Sequence, residues 1–142
     1  MSRFYPDVVP SFADEPTWNK FSIVPAADRG EGIIAVHPFK AGTMICRFTG
    51  FIVPKITLYS LRIGPESHIH DPYFMGKLLH SCEPNIHVNV NERQFWAVRD
   101  IEAGEFLTMD YESTEAILYR TFVCQCGSSR CRKEIAGYAA KG

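Results

Sequence analysis

Leu79-His80-Ser81-Cys82-Glu83-Pro84-Asn85 decides the fold once it is set beside a second stretch, Cys124-Gln125-Cys126-Gly127-Ser128-Ser129-Arg130-Cys131. The second stretch spaces three cysteines as C-x-C-x-x-x-x-C. Three thiolates leave a tetrahedral zinc ion one ligand short. Cys46 and Cys82 remain to supply the fourth. Cys82 lies in a tight polar turn closed by Pro84, where a side chain projects from the backbone. Cys46 lies in an apolar run and reads as a small buried hydrophobe. Cys82, Cys124, Cys126 and Cys131 are therefore the expected metal ligands. A closed four-sulfur site contributes folding energy rather than catalysis. Between the two stretches stands Glu105-Phe106-Leu107-Thr108-Met109-Asp110-Tyr111.

The 142 residues suffice for one domain with a real core. Net charge is −1, which excludes a basic nucleic-acid footprint and makes direct DNA or RNA binding a poor expectation. No apolar run reaches membrane-spanning length, and Met1-Ser2-Arg3-Phe4-Tyr5-Pro6 lacks the apolar core of a signal peptide, so an intracellular location is expected. Five cysteines, an odd number, fit a metal site in a reducing compartment better than a disulfide framework.

Outward from the motifs, short strands dominate. Residues 1–18 show no clean period and read as an irregular arm packed on the domain. Residues 21–24 form a strand ended by Pro25, a glycine-rich turn follows at 28–32, and residues 33–36 form the next strand. Residues 43–48 and 51–53 are strand-like, and 56–62 are expected to form one or two helical turns. His68 and His70 read as a solvent-facing loop pair. Residues 86–90 and 94–98 alternate around Asn91-Glu92-Arg93, a hairpin. Ser113 is expected to cap a short helix running to Tyr119. Residues 35–44 and 97–106 echo each other, each reading strand, Ala-Gly turn, strand. One echo is no solenoid.

In this order the pieces resemble the SET-domain methyltransferases, which carry an N-H-S-C-x-P-N segment, an E-L-T-x-D-Y segment and a post-SET C-x-C-x-x-x-x-C. The likeness runs from about Gly30 to about Gly137. It implies a mainly β fold of several small sheets, with a C-terminal pseudoknot and a zinc-binding post-SET tail. The divisions would be an arm at 1–18, the SET domain at 19–121 and the tail at 122–142.

The resemblance also implies chemistry: S-adenosylmethionine-dependent methyl transfer to the side-chain amine of a protein lysine, histone or histone-like. Gly30, Glu31 and Gly32 match the family's G-x-G, whose backbone wraps the methionine end of the cofactor. Leu79 and His80 occupy the place of the Asn-His that meets the adenine, with Leu79 in place of Asn. Gln125, between two cysteines, is a further cofactor neighbour. Tyr111 is the implied catalytic residue and also touches the cofactor. A free lysine has a pKa near 10.4, so neutralising it near pH 7 costs about 4 to 5 kcal/mol. Desolvation and the sulfonium charge lower that pKa, and a buried tyrosine hydroxyl orients the neutral amine. Phe48 and Met109 stand where the family often places channel phenols. Their lack of hydroxyls implies di- or trimethyl product. Two rivals stay open: a SET fold that binds a partner without turnover, motivated by Leu79 and a short segment between Gly50 and Leu79, and an enzyme acting on a small-molecule amine.

Overall fold

The computed structural model describes residues 2–140. Among these residues twelve strands, none longer than five residues, succeed one another with three single-turn 3-10 helices between them. The strands are β1 (Phe21–Pro25), β2 (Glu31–Ala35), β3 (Met44–Arg47), β4 (Phe51–Val53), β5 (Ser60–Gly64), β6 (Ser67–His70), β7 (Leu79–His80), β8 (Ile86–Asn89), β9 (Gln94–Ala97), β10 (Thr108–Met109), β11 (Phe122–Val123) and β12 (Glu134–Ile135). They make two three-stranded sheets, ordered β3-β9-β8 and β4-β6-β5, and three two-stranded ones, β1-β2, β7-β10 and β11-β12. No helix among the described residues is long and apolar enough to cross a membrane.

Local sequence accounts for most of this. In β8, Ile86 and Val88 face inward while His87 faces water. In β9, Phe95 and Ala97 take the inward positions. The β8-β9 register sets Val88 against Phe95 and Ile86 against Ala97, so the hairpin buries one face as its period of two requires. The β1-β2 hairpin pairs Ile23 with Ile33, two branched side chains on a pleated surface.

The sequence echo is a structural symmetry. Phe39 and Ile101 exchange both backbone hydrogen bonds, at 2.9 and 2.8 Å. The Ala35 N–H donates to Glu105 O at 2.9 Å, and the Ala97 N–H donates to Thr43 O at 2.9 Å. The Gly104 N–H reaches Ala35 O and the Gly42 N–H reaches Ala97 O, at 2.7 and 2.8 Å. Gly42 and Gly104 both hold positive φ, 82° and 92°, which the two turns require. Each ribbon thus closes the other around a local pseudo-dyad.

Three expectations are corrected. Residues 56–62 are no helix. Thr57 and Ser60 form a side-chain-stabilised turn, and the chain then enters β5, which pairs with β6. His68 and His70 lie in β6, the middle strand of its sheet, and His68 is only 5% exposed. The helix from Ser113 to Tyr119 is also absent. Asp110 caps a single turn at Tyr111–Ser113, and the following backbone is taken by the tail. Leu118 donates to Ala136 O at 3.0 Å, while Tyr138 and Ala139 donate to Glu115 O and Ala116 O at 3.0 and 2.9 Å. A helix there would need the same groups.

The core gathers Phe21, Phe74 and Phe95 with Ile33, Leu61, Leu78, Ile86, Ile101 and Leu107, all essentially inaccessible. The arm joins it. Phe4, Tyr5 and Val9 are buried, and the Tyr5 hydroxyl donates to Asp71 Oδ2 at 2.7 Å. Asp71 is fully buried and also accepts the N–H groups of Tyr73, Phe74 and Met75. Burial pushes its carboxyl up, and these four donors pull against that. The result holds residues 71–77 in one compact turn beneath the site.

Candidate active site

Three segments distant in sequence are tied at one point. β10 pairs in parallel with β7, setting Thr108 beside Leu79 and Met109 beside His80. Asn85, 1% exposed, locks the crossing: its Oδ1 accepts the Thr108 N–H at 2.8 Å and its Nδ2 donates to Phe106 O at 2.9 Å. The Asn85 N–H in turn donates to Thr108 Oγ1 at 3.1 Å. The His80 ring, buried, accepts the Tyr111 N–H on Nδ1 at 3.0 Å. That acceptor role puts the neutral ring's proton on Nε2, which lies 3.5 Å from Cys82 Sγ. His80 therefore couples Tyr111 to the cysteine cluster.

The Tyr111 hydroxyl donates to Leu78 O. Burial pushes this phenol upward, with Arg29 pulling weakly the other way, so it is a protonated donor at neutral pH. A cleft of about 630 Å³ opens in front of it. Gly30, Glu31, Leu79, His80, Met109, Tyr111 and Gln125 all line it, together with Tyr59, Lys77, Thr114, Glu115 and Phe122. Such a volume falls within the range of small-molecule and cofactor sites. Phe122 meets the His80 and Tyr111 rings edge-on, at 5.7 and 6.0 Å between centroids, so the tail forms one wall. Lys77 and Glu31 pair at 2.9 Å.

Two expected residues are placed differently. Gly32 does not line the cleft. A Cβ there would lie 2.9 Å from the Phe106 ring and 3.0 Å from Leu79 Cδ1, so its lack of a side chain serves the packing of β2 on β7 and on Phe106. Gly30, at φ 76° with open space over its Cα, fits a backbone that approaches a ligand closely. Phe48 is 2% exposed, stacks on Phe95 at 4.5 Å and belongs to the core rather than to the cleft wall. Replacing a phenol by a phenyl ring removes the polar tip that would draw this position towards a wet channel.

The cysteines do converge. The sulfurs of Cys82, Cys124, Cys126 and Cys131 all lie within 4.8 Å of one another, and Cys82 and Cys124 are 4.0 Å apart. Four sulfurs about 2.3 Å from one tetrahedral ion would sit about 3.8 Å apart, whereas a disulfide needs about 2 Å. The set fits one zinc ion and no disulfide. Cys46 is buried elsewhere. Burial pushes Cys124 up to about 12, whereas Cys126 lies at about 6, because N–H donors from Ser128 and Cys82 outweigh its burial. A dication would hold all four as thiolates. The Arg132 N–H donates to Cys82 Sγ at 3.3 Å, and its guanidinium grips Asp110 at 2.6 Å and Glu112 at 3.0 Å. Glu112 also accepts the N–H groups of Ala136 and Gly137. The carboxylates flanking Tyr111 thus hold the tail.

A family model described as the SET domain matches residues 30–112, more than half of the chain. The chain belongs to the SET-domain family. The chain is 33% identical over 100 residues to "Methyltransferase flvH" of Aspergillus flavus, covering 68% of this chain and 56% of that protein. It is 29% identical over 139 residues to human "Histone-lysine N-methyltransferase EHMT1", covering 80% of this chain and 11% of that one. Arabidopsis thaliana "Histone-lysine N-methyltransferase ATX2" is 32% identical over 128 residues, covering 72% and 12%. The chain spans about half the length of the first relative and about a tenth of the other two. Among solved structures, KRYPTONITE in complex with mCHH DNA, H3(1-15) peptide and SAH superposes with a TM-score of 0.64 at 23% identity, over 80% of this chain and 29% of that one. That match bears out the mainly β architecture of several small sheets.

Tyr59, Lys77, Thr114, Glu115 and Phe122 add to the cleft wall without standing in a short motif. Proximity of Phe122 to the cysteines is the only trace the sequence carries of any of them.

Proposed function

We propose that this SET domain transfers methyl groups from S-adenosylmethionine to the side-chain amine of a protein lysine. The observation that supports it best is the buried Tyr111 hydroxyl, fixed on Leu78 O at the wall of a cleft shared with Gly30, His80, Met109 and Gln125. Relatives named as histone-lysine methyltransferases support the choice of acceptor. When bound, the cofactor would supply an electrophilic methyl group on a sulfonium sulfur: the lysine ammonium would first lose a proton to solvent, and the neutral amine's lone pair would then bond to the methyl carbon while the carbon–sulfur electron pair goes to sulfur.

The chain's own contribution is positioning and exclusion of water. Gly30 and Glu31 would border the cofactor's amino-acid end, and Leu79, His80 and Gln125 its base. Tyr111 would orient the amine through an oxygen already fixed by Leu78. Met109 would give way to a growing amine. Phe122 and the cysteine cluster, with zinc on Cys82, Cys124, Cys126 and Cys131, would close the cleft. The test is incubation with labelled cofactor, a histone mixture and a panel of small amines, followed by mass spectrometry. Lysine-linked label that disappears with Tyr111→Phe is expected. Label on small amines alone would overturn the acceptor, and no label, with cofactor bound, would leave a binding module.

A further inference from the structure

One wall of the cleft holds a buried acid that no step above uses. Glu115 is 6% exposed and lines the cleft. Its Oε2 accepts the Arg62 N–H at 2.8 Å and the Thr114 hydroxyl at 2.9 Å. Its Oε1 has no hydrogen-bond partner among the described residues. Nor is that atom sealed from solvent: among the described residues the sealed, unpartnered side-chain atoms are Arg3 Nη2 and His68 Nδ1. Oε1 therefore keeps accessible surface on a residue that lines the cleft.

No ion pair among the described residues reaches this carboxylate. The Arg62 guanidinium is turned to the Tyr138 hydroxyl at 3.0 Å. Lys77, on the same cleft, is taken by Glu31 at 2.9 Å. A carboxylate withdrawn from water without a cation is costly. Accordingly, burial pushes Glu115 upward, against the pull of its two donors and the Arg62 charge. Glu115 also stands close to Tyr111 along the chain. Its N–H donates to Tyr111 O at 2.9 Å. Both residues line the one cleft.

We propose, resting on the methyl-transfer reading above, that Glu115 determines specificity by holding a cationic nitrogen of the substrate, an ammonium or guanidinium, on Oε1. The cation comes either from a basic residue flanking the acceptor or from the acceptor's own ammonium before it loses its proton. The first selects basic substrates. The second captures lysine in its abundant charged form and releases it towards Tyr111 as it is neutralised.

The experiment pairs peptides that share one acceptor lysine and differ in flanking arginine or glutamine. The intact domain and Glu115→Gln are compared on both. The variant keeps a carbonyl oxygen for the Arg62 N–H and loses the charge. Loss of one charge-assisted hydrogen bond should raise KM about tenfold. A rise confined to arginine-flanked peptides assigns the cation to the flank. An equal rise for both assigns it to the acceptor. Equal KM for variant and parent throughout would overturn the proposal. Should the variant not fold, the parent alone decides: a KM indifferent both to flank charge and to added salt is the overturning result. Should no peptide be methylated, the reading above fails by itself. Anisotropy of the same labelled peptides, including one with norleucine for the acceptor lysine, then reports whether Glu115→Gln weakens binding.

Discussion

Phe74 meets Phe21 edge-on at 5.0 Å and Phe95 at 6.1 Å in the core, with Phe48 stacked behind Phe95. The tail beyond residue 121 has no such cluster of its own; its one ring contact with the scaffold among the described residues is Phe122, edge-on to His80 and Tyr111. Val123 and Tyr138 are 67% and 51% exposed, and its buried side chains are small or few, Cys124, Ile135 and Ala136 among them. Yet both regions wall the same cleft. The scaffold holds its wall by burying apolar surface, a non-directional force that survives local change. The tail holds its wall through four sulfurs and the Arg132–Glu112–Asp110 grip, directional contacts that fail singly. A site built half from each should be dismantled from one side only.

The largest effect is expected from Cys124→Ser. Zinc content should fall from one per chain to near zero, hydrogen exchange of residues 122–140 should lose protection, and methyl transfer should drop by about 10²-fold or more, while β8 and β9 stay protected. A tail that stays ordered without metal would erase the contrast. Cys82→Ser with full zinc occupancy would exclude Cys82 as the fourth ligand. The converse change, Phe95→Ala, should cost about 3–5 kcal/mol of stability in denaturant melts and carry the tail down with the scaffold. Tyr111→Phe stands at the seam: kcat should fall about 10²–10³-fold at saturating cofactor, with cofactor affinity kept, as for the loss of one oriented hydrogen-bond donor. Comparable rates for variant and parent would remove Tyr111 from the reacting centre. Arg132→Gln should loosen the tail by about 1–2 kcal/mol, seen as faster exchange at residues 132–137 with zinc retained. The smallest change is one of product: Met109→Tyr should shift peptide mass spectra from di- or trimethyl towards monomethyl. A parent enzyme that stops at one methyl group would rule that out.

What the sequence disclosed follows the same division. The hairpin of β8 and β9 was legible because alternation at Ile86, Val88 and Phe95 matches the faces they occupy. The cysteine set was legible because its spacing is the one a single tetrahedral ion would require, and the four sulfurs do converge. β5 and β6 were hidden, since Ser67-His68-Ile69-His70 looks polar and its burial arises only from the strands on either side. The helix expected after Ser113 failed because residues 115–118 spend their backbone on residues 136–139, a pairing no local pattern announces. Gly137 permits it: at φ 110°, a Cβ there would collide with Ala116 O. The symmetry around Phe39 and Ile101 was visible as an echo, while its mutual hydrogen bonding was not. Glu115 stood outside every motif, and only three-dimensional neighbours make it conspicuous.

The Asn85 lock has a consequence for biosynthesis. A ribosome delivers residues 79–85 well before residues 106–108. Until those follow, the Asn85 side chain lacks its native acceptor and donor, and β7 has no native neighbour. Nascent chain up to that point can collapse around its phenylalanines, but it carries an open strand edge, which invites wrong pairing. Translation must therefore run nearly through Tyr111 before the first half of the cleft exists, and past Cys131 before the second. Pausing between those two points would leave a scaffold that is folded and a cleft that is not, a natural moment for a chaperone to hold the chain.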